Sequence, residues 1–427
     1  MIQLNNKGAV VRKRLRGMIG TLAKRWRERR AARHRMRLGR IAEIRWIGVT
    51  GSCGKSTTVH LLTEVLRKRG RCPKPSGGNL PDAVPVCLLR VTPDHNAVVQ
   101  EIGTMSPGHI RHNCRIFRPE IGVVMNVGSD HYAQFRSEDA IAEEKADLVR
   151  ALPADGVAIL NADDPRVAAM AGHTSARVVT FGIVKEADYR AQDVSANWPA
   201  SVGFRLDHQG QSYRLESRLF GSHLVPNLLA CIAAAHTCGM PIEEVISALG
   251  EIEPVDGRMS EVKAPDGVTF IRDDYKAPWW GLPLTIEFLR NAEAQRKVLV
   301  IGEMSDNPGN KGRKFRRLIN TALIELDMIV VVGEAAGQLN ESLLESEKIQ
   351  AFDRIADAHE FLTTFLKSGD LVVLKGLVAD HLERLARARV ETVGCWRDRC
   401  GRRTLCTDCE FLPISAGSNE RVPAGHR

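Results

Sequence analysis

The stretch 46–62, WIGVTGSCGKSTTVHLL, constrains this chain more than any other. A short apolar run leads into three glycines, and Lys55, Ser56 and Thr57 then open a helical pattern. Glycines at Gly51 and Gly54 let backbone N–H groups turn inward around phosphate oxygens. The helix that begins there adds the positive end of its dipole. Lys55 suits the β- and γ-phosphates, and the Ser56 hydroxyl suits Mg²⁺. The strict motif has four residues between its first glycine and Gly-Lys-Ser, whereas here five separate Gly48 from Gly54. The chemistry survives that change, so a nucleoside triphosphate is the expected ligand of a strand–turn–helix unit.

Such a unit belongs in an α/β protein, and the rest of the chain agrees. HNAVVQEIG, IGVVMNVG and GVAILNA read as buried strands between helical stretches. KVLVIGEM, MIVVVGEAAG and DLVVLKGL form a second such series after the linker-like PVDGR. The expected fold is therefore α/β, with a phosphate-loop central domain on a mainly parallel sheet and a Rossmann-like C-terminal α/β domain. The expected boundaries are a basic arm at 1–43, the central domain at 44–254, the second domain at 255–388 and a Cys-rich tail at 389–427.

Charge is concentrated at one end. Residues 1–45 hold fifteen Lys/Arg and two Glu, a local +13 against a total of +9, which leaves the remainder at −4. Residues 8–40 read as a basic amphipathic helix with Val11, Leu15, Met18, Leu22 and Trp26 on one face. Two readings follow: a surface for an anionic membrane or an acidic partner, or a solvated helix that packs its apolar stripe on the body. Nucleic acid is the weaker partner. No run of about 18 apolar residues exists and the start lacks the apolar core of a secretory signal, so a cytoplasmic protein is expected, peripheral at the inner membrane face if the arm binds lipid. Ten cysteines then imply free thiols or metal sites.

Four further stretches name a family. QEIGTMSPGHI, MNVGSDHYAQFRSEDAIAEEKADL, LPADGVAILNADDPRV and FGSHLVPNLLACIAAA leading to PVDGRM, together with GVTGSCGKSTT, resemble the Mur ligase family over roughly 44–380. The resemblance implies an ATP-dependent carboxylate–amine ligase that makes an amide through an acyl phosphate and releases ADP and phosphate. It implies Mg²⁺ on Ser56 and Glu101, a second metal contact at His131, and Lys145 beside it as a metal ligand if carbamylated. Lys55, His131 and Lys145 become the candidate catalytic residues. Gly51, Gly54, Lys55, Ser56, Thr57, Asn227, Arg258 and Asp274 become the ATP-binding set, with Asn227 near the adenine. Asn79, Tyr275 and Lys276 are weaker substrate candidates. The pattern drifts late in the chain: Leu224, Lys276, Pro278, Glu303 and Leu377 replace family residues, which puts the amine in doubt more than the ATP chemistry. The family's carrier domain for a UDP-sugar does not fit in the first 43 residues. The expected substrates are therefore a small-molecule or peptide carboxylate and an amine.

Cys395, Cys400, Cys406 and Cys409 space as C-x4-C-x5-C-x2-C, and four thiolates with arginines between them suit a structural Zn²⁺. An iron–sulfur cluster or unligated thiols are the alternatives. Two rival functions stand beside the ligase: a phosphate-loop kinase or ATPase that forms no amide, and a catalytically weak nucleotide-binding partner subunit.

Overall fold

The computed structural model describes residues 3–75, 83–128, 132–305, 311–398, 400–402 and 404–414. The candidates Asn79 and His131 lie outside them. Two compact units form, 1–192 with 206–213 and 226–249, and 193–205 with 214–225 and 250–427.

The first unit is built on β1 (Arg45–Thr50), β2 (Ala97–Glu101), β3 (Ile121–Val124), β4 (Val157–Asn161) and β5 (Arg177–Gly182). The sheet continues into β6 (Tyr189–Ser195), β7 (Gly203–His208) and β8 (Gln211–Glu216), in the order β2-β1-β3-β4-β5-β6-β7-β8. Pairing is parallel from β2 through β6. Parallel strands with both faces covered read as largely apolar runs, and β1, β2, β3 and β4 are buried almost throughout. The helices are α1 (Gln3–Ile41), α2 (Lys55–Arg67), α3 (Ala83–Arg90), α4 (His109–Phe117), the short α5 (Tyr132–Phe135), α6 (Glu138–Arg150), α7 (Pro165–Ala168), α8 (Val225–Thr237) and α9 (Ile242–Glu251).

The basic arm is a single helix of 39 residues. Where the stripe is described, it is not the face that packs on the body. Leu22 is 61% and Trp26 63% exposed, while Ala31, Arg35 and Leu38 are buried. The side chains of Val11, Leu15 and Met18 lie outside the described ones. Arg35 makes the seam: its Nε donates to the Phe117 carbonyl at 2.9 Å, and its guanidinium lies 3.9 Å over the Trp46 ring. The small Ala31 lets the helix approach closely, and Trp46 meets Phe117 edge to face at 5.6 Å.

The second unit carries β9 (Ser260–Lys263), β10 (Thr269–Asp273), β11 (Arg296–Ile301), β12 (Met328–Val332), β13 (Ile349–Phe352) and β14 (Asp370–Lys375), in the order β13-β12-β11-β14-β10-β9. Only β9 runs antiparallel to its neighbour. Helices α10 (Leu282–Asn291), α11 (Lys311–Glu325), α12 (Glu341–Leu344), α13 (Ile355–Phe365) and α14 (Glu383–Arg387) complete it. This is the expected doubly wound arrangement. The described part of the tail, up to residue 414, packs on this unit: Trp396 stacks on His359 at 4.2 Å, and Gly394 and Cys395 donate to the Leu412 carbonyl.

Candidate active site

In open parallel sheets, ligands sit beyond the carboxyl ends of the strands, where the strand order reverses. In the first unit that place lies between β1 and its two neighbours. Register puts Val49 beside Glu101 and Thr50 beside Val124, so the phosphate loop, Glu101 and the MNVG loop (125–128) emerge together.

Gly51 at φ 151 and Gly54 at φ 78 give the loop its turns, which L side chains resist. Asn126 holds the loop from below: its Oδ1 accepts the N–H groups of Ser52 at 3.0 Å and Cys53 at 2.8 Å. Lys55 is buried, and its ammonium donates to the carbonyls of Gly51 at 2.6 Å and Ser52 at 3.3 Å. Ser56 Oγ donates to Glu101 Oε2 at 2.7 Å, with Glu101 buried at the end of β2. A hydroxyl and a carboxylate this close, at the start of a helix and next to a lysine, offer a hard cation two oxygen ligands.

Lys145 sits on α6 with 1% of its surface exposed. Its neighbour Glu144 is equally sequestered, accepting from Thr104 Oγ1 at 3.1 Å and from the backbone N–H groups of Gly108 and Ile110 at 2.6 and 2.7 Å. That carboxylate neutralises the N-terminal turn of α4 and fixes the loop after β2. The NADDP stretch does the same for the loop after β3: Asn161 donates to the Met125 carbonyl and Asp164 accepts from Val127. Asn126, Glu144, Asn161 and Asp164 were not among the expected site residues. The signal was available in MNVG and NADDP, since polar residues at the ends of apolar strands need partners.

Two of the expected ATP contacts are engaged by protein groups. Asn227 is 3% exposed, and its amide donates to the Gly54 carbonyl at 2.8 Å and to Thr58 Oγ1 at 2.9 Å. It braces the phosphate loop, and both amide hydrogens are used there. Asp274 is 0% exposed and accepts from Arg272 at 3.2 and 3.3 Å. In this arrangement the buried guanidinium of Arg272 engages both carboxylate oxygens of Asp274. Burial raises its pKa well above the usual range, with Arg272 opposing. Arg258 lies 5.0 Å over the ring of Tyr275, which is 45% exposed.

In the second unit the three drifted motifs stand side by side. Register aligns Ile301 with Lys375 and Asp273 with Lys375 at the carboxyl ends of β11, β14 and β10. Lys375 pairs with Asp273, and Asp380 accepts from the backbone N–H groups of Glu303 and Leu377, each at 2.8 Å.

A phosphate-loop α/β unit with a hydroxyl–carboxylate pair beside its lysine, followed by a doubly wound unit, defines an ATP-using enzyme class. Comparison with known proteins narrows it. The Mur ligase middle domain matches residues 49–235, and the Mur ligase glutamate ligase domain matches 257–377. A UDP-N-acetylmuramoyl-tripeptide–D-alanyl-D-alanine ligase of Mycobacterium tuberculosis is 33% identical over 374 residues, covering 82% of this chain and 73% of the relative. The like-named ligase of Bacillus subtilis is 26% identical over 356 residues, covering 82% and 76%. Among solved structures, MurF from Acinetobacter baumannii superposes with a TM-score of 0.76 at 26% identity, covering 86% of this chain and 81% of that one. The chain belongs to the Mur ligase family. It is an ATP-dependent ligase that forms carbon–nitrogen bonds, which sets aside the kinase and partner-subunit readings. No helix among the described residues is long and apolar enough to cross a membrane.

Proposed function

We propose that this chain joins a peptide-like carboxylate to an amine other than the dipeptide in its relatives' names, with Lys55, Ser56, Glu101 and Lys145 carrying the phosphoryl transfer. The observation behind the transfer site is the Ser56–Glu101 contact beside Lys55. Those two oxygens fit Mg²⁺, which would neutralise charge on the transferring group. Lys55 turns its ammonium from the loop carbonyls to the nucleotide's terminal phosphates. The buried Lys145, carbamylated, and His131 would complete a second cation site. The carboxylate attacks the γ-phosphorus, ADP leaves, and the amine displaces phosphate from the acyl phosphate. The altered acceptor motifs, where Lys276, Pro278, Glu303 and Leu377 replace family residues, support a different amine.

The test is ADP release with Mg·ATP, UDP-N-acetylmuramoyl-tripeptide or simpler peptide acids, and either D-alanyl-D-alanine or a panel of amino acids. Release that needs both an acid and a panel amine, and is lost in Lys55→Ala and Glu101→Gln, supports the reading. Turnover with D-alanyl-D-alanine alone sinks the altered-acceptor part, and release without any amine sinks the whole.

The arm has a separate role, which we read as docking on anionic lipid. Leu22 and Trp26 are exposed among Lys24, Arg25, Arg29 and Arg30. An apolar anchor within a cationic surface suits an anionic bilayer. Co-sedimentation with phosphatidylglycerol vesicles but not phosphatidylcholine vesicles, weakened in Trp26→Ala, is expected. Equal behaviour on both vesicles rejects it.

A further inference from the structure

The four tail cysteines converge. Cys395, Cys400, Cys406 and Cys409 line one enclosed cavity of about 10 Å³, together with Arg384 and Arg402. A space of that size holds about one water-sized occupant. All four are free thiols.

Two guanidinium donors and an imidazole surround the sulfurs. Arg384, 1% exposed, directs Nε to Cys406 Sγ at 3.1 Å. Arg402 reaches Cys409 Sγ at 3.5 Å. The ring of His381, also 1% exposed, lies between two sulfurs, with Nε2 3.1 Å from Cys400 and Nδ1 3.3 Å from Cys406. A guanidinium suits metal-bound thiolate sulfur, which accepts charge-assisted bonds from it. Several thiolates in one cavity repel one another unless a cation sits among them. A divalent ion with four thiolates leaves two negative charges, and two arginines are present to offset them.

A second observation also fits a cation. Glu383 is fully buried; its Oε1 accepts the Cys406 N–H at 2.6 Å, while its Oε2 has no hydrogen-bond partner. An orphaned buried carboxylate oxygen calls for a reason. The ligand atoms of His381, Glu383 and Cys406 lie within 4.8 Å of one another.

We propose that residues 395–409 form a structural zinc centre, with the sulfurs of Cys395, Cys400, Cys406 and Cys409 as ligands. His381, Glu383 and Arg384 surround it and orient the thiolates. A closed four-sulfur site leaves no open coordination position, so the centre is structural. It also ties loops together. Thr407 Oγ1 donates to Asp256 at 2.9 Å, and Asp256 pairs with Arg272, which holds Asp274. His381, in the left-handed region at φ 56, follows Asp380, the acceptor for Glu303 and Leu377.

Metal analysis of the full chain, purified without chelators, tests this. About one zinc per chain is expected, with an X-ray absorption shell of four sulfurs at about 2.3 Å. Cys400→Ser and Cys409→Ser, both at half-buried positions, should each cut the zinc content at least about fivefold, since a three-thiolate remnant binds more weakly. His381→Gln should keep the ion but lose it faster to a chelator. A metal-free wild type whose four tail thiols react with Ellman's reagent overturns the proposal. Bound iron with visible absorption overturns the choice of metal. Full zinc in both serine variants, or a shell with nitrogen in place of one sulfur, overturns the ligand set. The wild-type readouts do not depend on whether a variant folds.

Discussion

At Gly54 the phosphate loop runs in left-handed backbone, and a Cβ built there would lie 2.6 Å from Asn227 Nδ2. Gly54→Ala therefore combines a strained φ with a clash against a braced amide. It should cost about 1–3 kcal/mol of stability by thermal melting and weaken ATP binding more than tenfold. Unchanged nucleotide affinity would show that the loop shape is not what binds. Asp380 gives a pH signature. Burial, with Glu303 and Glu383 nearby, pushes its pKa from the usual 3.8 up to about 6, against the pull of the Leu377 and Glu303 N–H groups. An acid with a raised folded pKa holds its proton better in the folded state. Its contribution is thus full below about pH 4 and lost as pH rises through about 6. Asp380→Asn should flatten that part of the stability–pH curve, worth roughly 1–2 kcal/mol after discounting for partial exposure. An unchanged slope between pH 4 and 6 would assign the proton elsewhere. Gly51, Gly54, Lys55 and Ser56 could be read from sequence because a phosphate loop is local. The partners of Asn126 and Glu144 could not, since they lie 73 and 36 residues away; in MNVG the sequence marks only that Asn126 needs one.

Helix α1 shows how periodicity can find an element without finding the face that docks. Helical spacing from Val11 to Trp26 did locate a helix, but the docked surface is set by Ala31, Arg35 and Leu38. Periodicity weighs apolarity, whereas the seam is made by a small residue and a guanidinium stacked on Trp46. Arg35→Ala should remove that stacking and the bonds to Phe117 and Arg118, costing about 2–3 kcal/mol. Proteolysis would then cut the arm faster while the core resists. Equal digestion rates would mean that Ala31 and Leu38 hold the helix alone.

For the molecule as a whole, nucleotide binding and folding are linked. A ligand that binds only the folded chain stabilises it by about 2.7 kcal/mol at a hundredfold excess over Kd. Mg·ATP should raise the melting temperature of the wild type, and Lys55→Ala should abolish most of that rise. An equal rise in both would place the nucleotide elsewhere. Sequence alone determined the α/β class, the phosphate loop and the family likeness, because strand burial, glycine turns and helix starts are written over a few consecutive residues. Tertiary structure decided which face of α1 docks, that Asp274 is sealed against Arg272, and that His381, Glu383 and Arg384 gather around the tail cysteines. Those outcomes depend on which distant side chains parallel strands bring to one sheet edge. No local pattern encodes that, because each contact joins elements that only the sheet order makes neighbours.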